Sequence, residues 1–208
     1  MKKWILITSI LVLFCQGCVV IPKRDNTVPE SIEVASELCE KIGVMATFVG
    51  YSYSDFSIET IIDPKEKWRG SRNPSFYIIS EMSRSGIIQY PAEENDSLKY
   101  FITYKIISKD YKNLFQRTTL WVSDLTLGIL PGWGDGEFYL SAEINDRDGT
   151  KFKEYTSAKV NFDYYHGLLL LPINYYEHTA AHLYEKFLPL LTREIIGKMI
   201  NDKLIKCK

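Results

Sequence analysis

The chain has 208 residues, 46% of them hydrophobic and 25% charged, with a formal net charge of -1. That length and apolar share fit one folded domain with a sizeable core and exclude a disordered chain, while 12 Gly and 8 Pro exclude collagen-like or low-complexity architecture. A charge so close to zero argues against binding nucleic acid by bulk electrostatics, and no basic patch with interleaved aromatics appears, so no nucleic-acid partner is expected.

Met1-Lys2-Lys3 is a short basic start, followed by an apolar run of about 11 residues from Trp4 to Phe14 that only Thr8 and Ser9 interrupt. The run is shorter than the ~20 residues that span a bilayer and matches the apolar region of a secretory signal. Cys15-Gln16-Gly17-Cys18 follows, with Gly17 where a signal peptidase needs a small residue before its cut. These residues resemble the signal of bacterial lipoproteins, whose motif ends in a small residue and the cysteine that becomes lipidated. Cys15 stands where that family usually carries Leu. The resemblance implies a signal peptide over 1–17, cleavage between Gly17 and Cys18, and a membrane partner reached through lipid on Cys18. It also implies a place in the cell envelope. Members held at the inner membrane tend to carry Asp directly after the cysteine, and Val19 occupies that place, which favours the outer membrane, facing the periplasm. Several acyl chains, at ~0.8 kcal/mol per buried methylene, would anchor the chain stably. A second reading stays open: residues 4–22, flanked by Lys2-Lys3 and Lys23-Arg24, are long enough to act as an uncleaved membrane anchor.

Of the four cysteines, Cys15 would leave with the signal and Cys18 would be acylated. Cys39 and Cys207 then remain, either as two free thiols or as a disulfide closing a long loop, for which chain-entropy models give ~4–5 kcal/mol. Neither has a second Cys or His at metal-ligand spacing.

Residues 18–26 read as a lipidated tether and 27–208 as a single domain. Thr27-Val28-Pro29-Glu30 forms a capping box, Ile32, Ala35, Cys39 and Ile42 recur at helical spacing, and Gly43 closes the pattern, so a helix is predicted over 28–42. Residues 44–54 are β-branched and aromatic and should be extended; 63–73 are a polar loop. A short helix should run from Asn73-Pro74 to about Arg84, ended by Gly86. Leu98, Tyr100, Ile102, Tyr104 and Ile106 alternate as one face of a strand.

Strands over 136–145 and 150–162 flank Asp146-Arg147-Asp148-Gly149. Apolar residues favour even numbers in both strands, among them Phe138, Leu140, Ala142 and Ile144 in the first and Phe152, Ala158, Val160 and Phe162 in the second. Only a three-residue loop with Gly149 left-handed keeps both sets on one face, pairing Asp146 with Thr150 and Ile144 with Phe152. Finally, Asn174 caps a long helical pattern reaching about Lys206, with a stripe of Leu183, Phe187, Leu191, Ile195 and Met199; Pro189 should kink or divide it.

Two apolar segments, Leu120 to Trp133 and Gly167 to Ile173, should be brought together by the hairpin. Buried packing is the commoner fate of such segments, so they are read first as core. Aromatics at their borders support the second reading, a contact patch for membrane or an apolar partner carried by Trp121, Leu130, Trp133, Leu169 and Leu170.

Recognisable chemistry is sparse. His178 and His182 are four residues apart with Glu185 three further on, a spacing that can share a metal on a helix face, but Thr179 stands where a zinc-protease motif needs its Glu. Solvated histidines explain the same pattern, and no metal is expected. The residues around Asp146-Gly149 lack the first and last ligands of a calcium loop, and Gly132-Trp133-Gly134-Asp135-Gly136 precedes a strand rather than the helix a phosphate cradle requires. No GxSxG motif is present. No catalytic residue and no cofactor are expected.

The predicted order suggests an α+β fold: one domain with a small antiparallel sheet that includes the 136–162 hairpin, covered by helices with a long C-terminal one. The architecture is similar to that of small accessory lipoproteins of Gram-negative envelopes. That resemblance implies a non-enzymatic structural, assembly or transport accessory with an envelope protein partner. The alternative is a periplasmic module binding a lipid or other apolar ligand.

Overall fold

The computed structural model describes residues 17–23, 42–53, 56–62, 74–86, 88–89, 100–111, 113–126, 128–146, 148–167 and 180–205. The fold is α+β, with a long C-terminal helix and a sheet that contains the expected hairpin. In chain order the elements are β1 (Gly17–Pro22), β2 (Ile42–Tyr53), β3 (Phe56–Ile62), α1 (Pro74–Arg84), β4 (Ile88–Gln89), β5 (Tyr100–Tyr111), α2 (Leu114–Leu125), β6 (Gly132–Asp146), β7 (Lys151–Thr156), β8 (Val160–Gly167) and α3 (Ala180–Asn201). The sheet order is β1-β8-β6-β5-β2-β3, with β4 beside β2 and β7 beside β6. Pairing is antiparallel in β1·β8, β2·β3 and β6·β7. The sheet is larger than the sequence suggested, and β2 pairs in parallel with both β4 and β5.

Two compact units emerge from the contacts within the chain: 1–25, 110–137 and 161–183 in the first, and 26–109, 138–160 and 184–208 in the second. The core of the second unit follows from alternation. Ile102, Tyr104 and Ile106 of β5 and Phe138, Leu140, Ala142 and Ile144 of β6 are fully buried, as are Ile78 of α1 and Leu188, Leu191, Ile195 and Met199 of α3. Phe138 meets Tyr184 and Phe187 edge-on, at 5.1 and 6.5 Å between ring centroids. The Tyr104 phenol has no hydrogen-bond partner among the described residues, and burial pushes its pKa up.

Helix α1 matches its prediction at both ends. Pro74 opens it, and Gly86 turns the chain with φ +64° while its N–H donates to the Ser83 carbonyl. Its Glu81 takes a two-pronged pair from Arg193 of α3, at 2.5 and 3.2 Å. The strand predicted from alternation is β5, extended to Tyr111. The helix expected over 28–42 lies mainly outside the described residues, but its expected end does not hold. Ile42 and Gly43 begin β2, where Gly43 pairs with Phe101 and Gln89, so the β-branched run extends back through that glycine.

At the hairpin the turn is as expected: Gly149 has φ +80°, its N–H donates to Asp146 O, and Asp146 N–H donates to Thr150 O. Register beyond the turn differs. Asn145 pairs with Lys151 but Ile144 with Lys153, so Phe152 is an extra residue that bulges the strand. A one-residue slip exchanges faces, leaving Phe152 exposed against Tyr100 and bringing Tyr155 into the core. The predicted second strand is two, β7 and β8, broken at 157–159. There the Ser157 N–H donates to Leu140 O while the Leu140 N–H donates to the Ser157 hydroxyl, and both carboxylate oxygens of Glu194 accept from the Ala158 N–H, at 3.1 and 2.9 Å.

Helix α3 runs unbroken through Pro189, so the predicted division does not occur. A proline inside a helix costs ~3 kcal/mol, but each buried Leu or Ile contributes ~1.5–3 kcal/mol, and Leu188, Leu191, Ile195 and Ile196 flank it. Its expected start at Asn174 lies outside the described residues. The helix ends at Asn201, where Lys203 turns left-handed and Leu204 N–H returns to Met199 O.

Candidate functional site

The first unit brings the residues after the apolar leader together with helix α2. Residues 17–22 are not a free tether: β1 pairs with β8 over its whole length, with Gly17 opposite Gly167 and Cys18 opposite His166. Val19 and Val20 are buried, and that apolar pair docks the segment. At the other end Lys23 N–H donates to Asn161 O, and its ammonium reaches Asp163 at 3.3 Å and Asp135 at 3.8 Å.

Helix α2 is not among the predicted elements; only its second half falls in the apolar segment from Leu120 to Trp133. Asn113 caps it, accepting from Gln116 N–H at 2.8 Å while its own N–H donates to Gln116 Oε1 at 2.9 Å. Gln116 then donates through Nε2 to Asp135 on β6. One and two turns on, Leu120 and Ser123 lie so close to β6 that a Cβ built on Gly132 would come within 2.9 Å of the Leu120 Cα. The hydroxyl of Ser123, fully buried, donates to the His166 carbonyl at 3.2 Å. The side of α2 turned to the protein therefore carries polar groups.

The opposite side is apolar. Leu114, Phe115, Trp121 and Leu125 are 62–82% exposed, and Ile129 and Leu130 in the following turn are 57% and 52% exposed. Leu114, Trp121 and Leu125 fall within about 40° of one another at 100° per residue, one stripe along the helix. The turn that carries Ile129 and Leu130 is held by hydrogen bonds. Gly128, at φ +77°, donates to Ser123 O at 2.7 Å, Ile129 N–H to Thr126 O, and Leu130 N–H to Thr126 Oγ1. This turn sits on the end of β8, where a Cβ on Gly167 would meet Gly128 O at 3.0 Å and Pro131 Cα at 3.2 Å.

Of the residues named for the contact patch, Trp121 and Leu130 are on the outside, which corrects the core reading for them. Their neighbours on the sheet side, Gln116 and Ser123, already fill that interface. Trp133 is half-buried, edge-on to Phe115 at 6.4 Å. Leu169, Leu170, Cys39, Cys207 and His178 lie outside the described residues. His182 is half-buried on α3 and Glu185 exposed, and among the described residues no group of three metal-binding side chains comes together. Among the same residues no helix is long and apolar enough to cross a membrane. Leu114 and Phe115 lie before the apolar segment singled out in the sequence, and Leu125 and Ile129 lie within it without being named for the patch, although the Asn113…Gln116 capping box signals the helix that displays the first three.

Charged clusters in the second unit have structural explanations. Lys153 donates to Asp202 at 2.5 Å, which raises the lysine's pKa and lowers that of Asp202. Glu154 is held below the usual carboxylate range by Lys151 first and then by the Ser141 hydroxyl. No protein-family model matches the chain, and comparison with curated proteins finds no relative.

Proposed function

We propose that the chain is a non-enzymatic lipoprotein of the bacterial envelope, a structural, assembly or transport accessory held to a membrane through Cys18. The observation that carries this reading is the order of a basic start, an apolar run from Trp4 to Phe14, and Gly17-Cys18. The fold supports it, because β1 begins at Gly17 and a lipid on Cys18 would join the folded unit without a long linker. Val19 after the cysteine favours the outer membrane, with the folded part in the periplasm. Metabolic labelling with a palmitate analogue tests the reading. Label is expected on the wild-type chain and lost in Cys18→Ala. An unlabelled wild type, or label that survives Cys18→Ala, overturns it and leaves the uncleaved anchor.

A further inference from the structure

We infer that the outward face of α2 and its following turn, formed by Leu114, Phe115, Trp121, Leu125, Ile129 and Leu130, lies in the interfacial layer of the leaflet that holds the chain's N-terminal anchor. This rests on the proposal that the chain is membrane-anchored. Three observations point to lipid as the occupant. First, α2 is amphipathic with its polar side inward: Gln116 and Ser123 are buried and satisfied, while the apolar stripe faces out. Such a face needs an apolar covering, and its length, about 18 Å for 12 residues, suits a helix lying flat in an interface.

Second, the anchor reaches the same place. The proposed lipid site, Cys18, lies at the start of β1 beside the end of β8, and Gly167 at that end of β8 packs against the turn bearing Ile129 and Leu130. Cys18 stands opposite His166, whose carbonyl accepts from Ser123. Strand β1 is about 20 Å long, so its far end, with Lys23, Asp135 and Asp163, is well removed from the anchor. Third, the patch has the composition of an interfacial one. Trp121 and Phe115 stand among aliphatic side chains, and the charges of α2, Arg117 and Asp124, balance, so contact should not require anionic lipid.

The test uses the full chain reconstituted in phosphatidylethanolamine–phosphatidylglycerol vesicles with or without bromine on the acyl chains. Trp4, Trp68 and Trp133 are replaced by Phe, leaving Trp121 as the reporter. Flotation with the vesicles reports the anchor, and quenching of Trp121 reports the patch. Expected are co-flotation, a blue-shifted emission and at least a twofold loss of intensity on bromination. Leu125→Asp should restore most of that intensity while the chain still floats. If the triple variant does not fold, the bromine quenching of wild type minus that of Trp121→Phe supplies the same reading. A chain that floats with Trp121 unquenched overturns the inference and leaves the anchor standing. A blue shift without bromine quenching also overturns it, in favour of contact with protein or a second copy. A chain that does not float overturns both readings.

Discussion

Replacing Glu194 by Ala should be among the most damaging single changes on α3. The Glu194 carboxylate is 11% exposed and does two things: both oxygens accept from the Ala158 N–H, and Oε1 pairs with Lys198 at 2.8 Å. Losing a hydrogen bond to a charged group costs ~1.5–3 kcal/mol, and the orphaned Ala158 N–H in the β7–β8 break lies at the upper part of that range. The pair with Lys198 adds at most ~1 kcal/mol, because the lysine is 43% exposed and keeps its bond to Thr156 O at 2.7 Å. The total is about 2–4 kcal/mol, or a midpoint lowered by roughly 5–15 °C in a chain of this size. Glu194→Gln keeps a neutral acceptor and should cost about half as much, and Lys198→Met less than ~1 kcal/mol. Thermal and urea denaturation of the full chain in detergent, followed by circular dichroism, measures the series. The order Ala, then Gln, then Lys198→Met is the expected result. If Glu194→Ala lies within ~0.5 kcal/mol of wild type, or Lys198→Met matches it, the capping argument is wrong.

Three further expectations follow from the same geometry. Gly149→Ala should cost about 1 kcal/mol in urea denaturation and Gly149→Asn less, since φ is +80° but nothing lies within 4 Å of a built Cβ; equal costs would mean that sterics rather than backbone conformation decide. Gly132→Ala should cost ~1–3 kcal/mol, because its Cβ would meet the Leu120 backbone at 2.9 Å and push α2 off β6, and a neutral result would show that the helix is not seated as described. The Glu154 carboxyl is depressed in the folded state, so its contribution is present above the unfolded pKa and fades as pH falls through the lower folded value. Ser141→Ala should move the Glu154 midpoint upward in a carboxyl-carbon NMR titration, so that the loss is smaller and is complete at a higher pH; a midpoint that stays put would remove Ser141 as a cause.

Elements with a local signal were readable in the sequence. Asn73-Pro74 and Gly86 bound α1 because a proline at the first turn and a left-handed glycine act within a few residues. The Asp146–Thr150 turn was readable for the same reason. The bulge at Phe152 was not, because alternation counts faces on the assumption of an unbroken ladder. Here the sheet accepts an exposed Phe152 on Tyr100 in exchange for burying Tyr155. Strand β1 was hidden because six residues carry no periodicity of their own, and its partner β8 lies far along the chain. At the candidate site, Trp121 and Leu130 were picked out by their composition. What composition does not carry is direction, since an apolar stripe reads alike whether it faces core or solvent.

For α2, direction is decided by the polar side. Turning the helix over would bury part of its four large apolar side chains now more than half exposed, worth roughly 3–6 kcal/mol at ~1.5–3 kcal/mol for full burial of each. Against that stand the bonds from Gln116 to Asp135 and from Ser123 to His166 O, together about 2–4 kcal/mol. The two ranges overlap, so what decides the orientation is whether the sheet can accept the apolar side. Asp135, shared with Lys23, and the packed glycines Gly132 and Gly167 leave it little room to do so. The sheet thus fixes the polar side inward and leaves an apolar deficit facing out. A leaflet reached by the proposed anchor would remove that deficit without any additional partner, which is why, on that proposal, Leu125→Asp should weaken lipid contact and leave the fold intact.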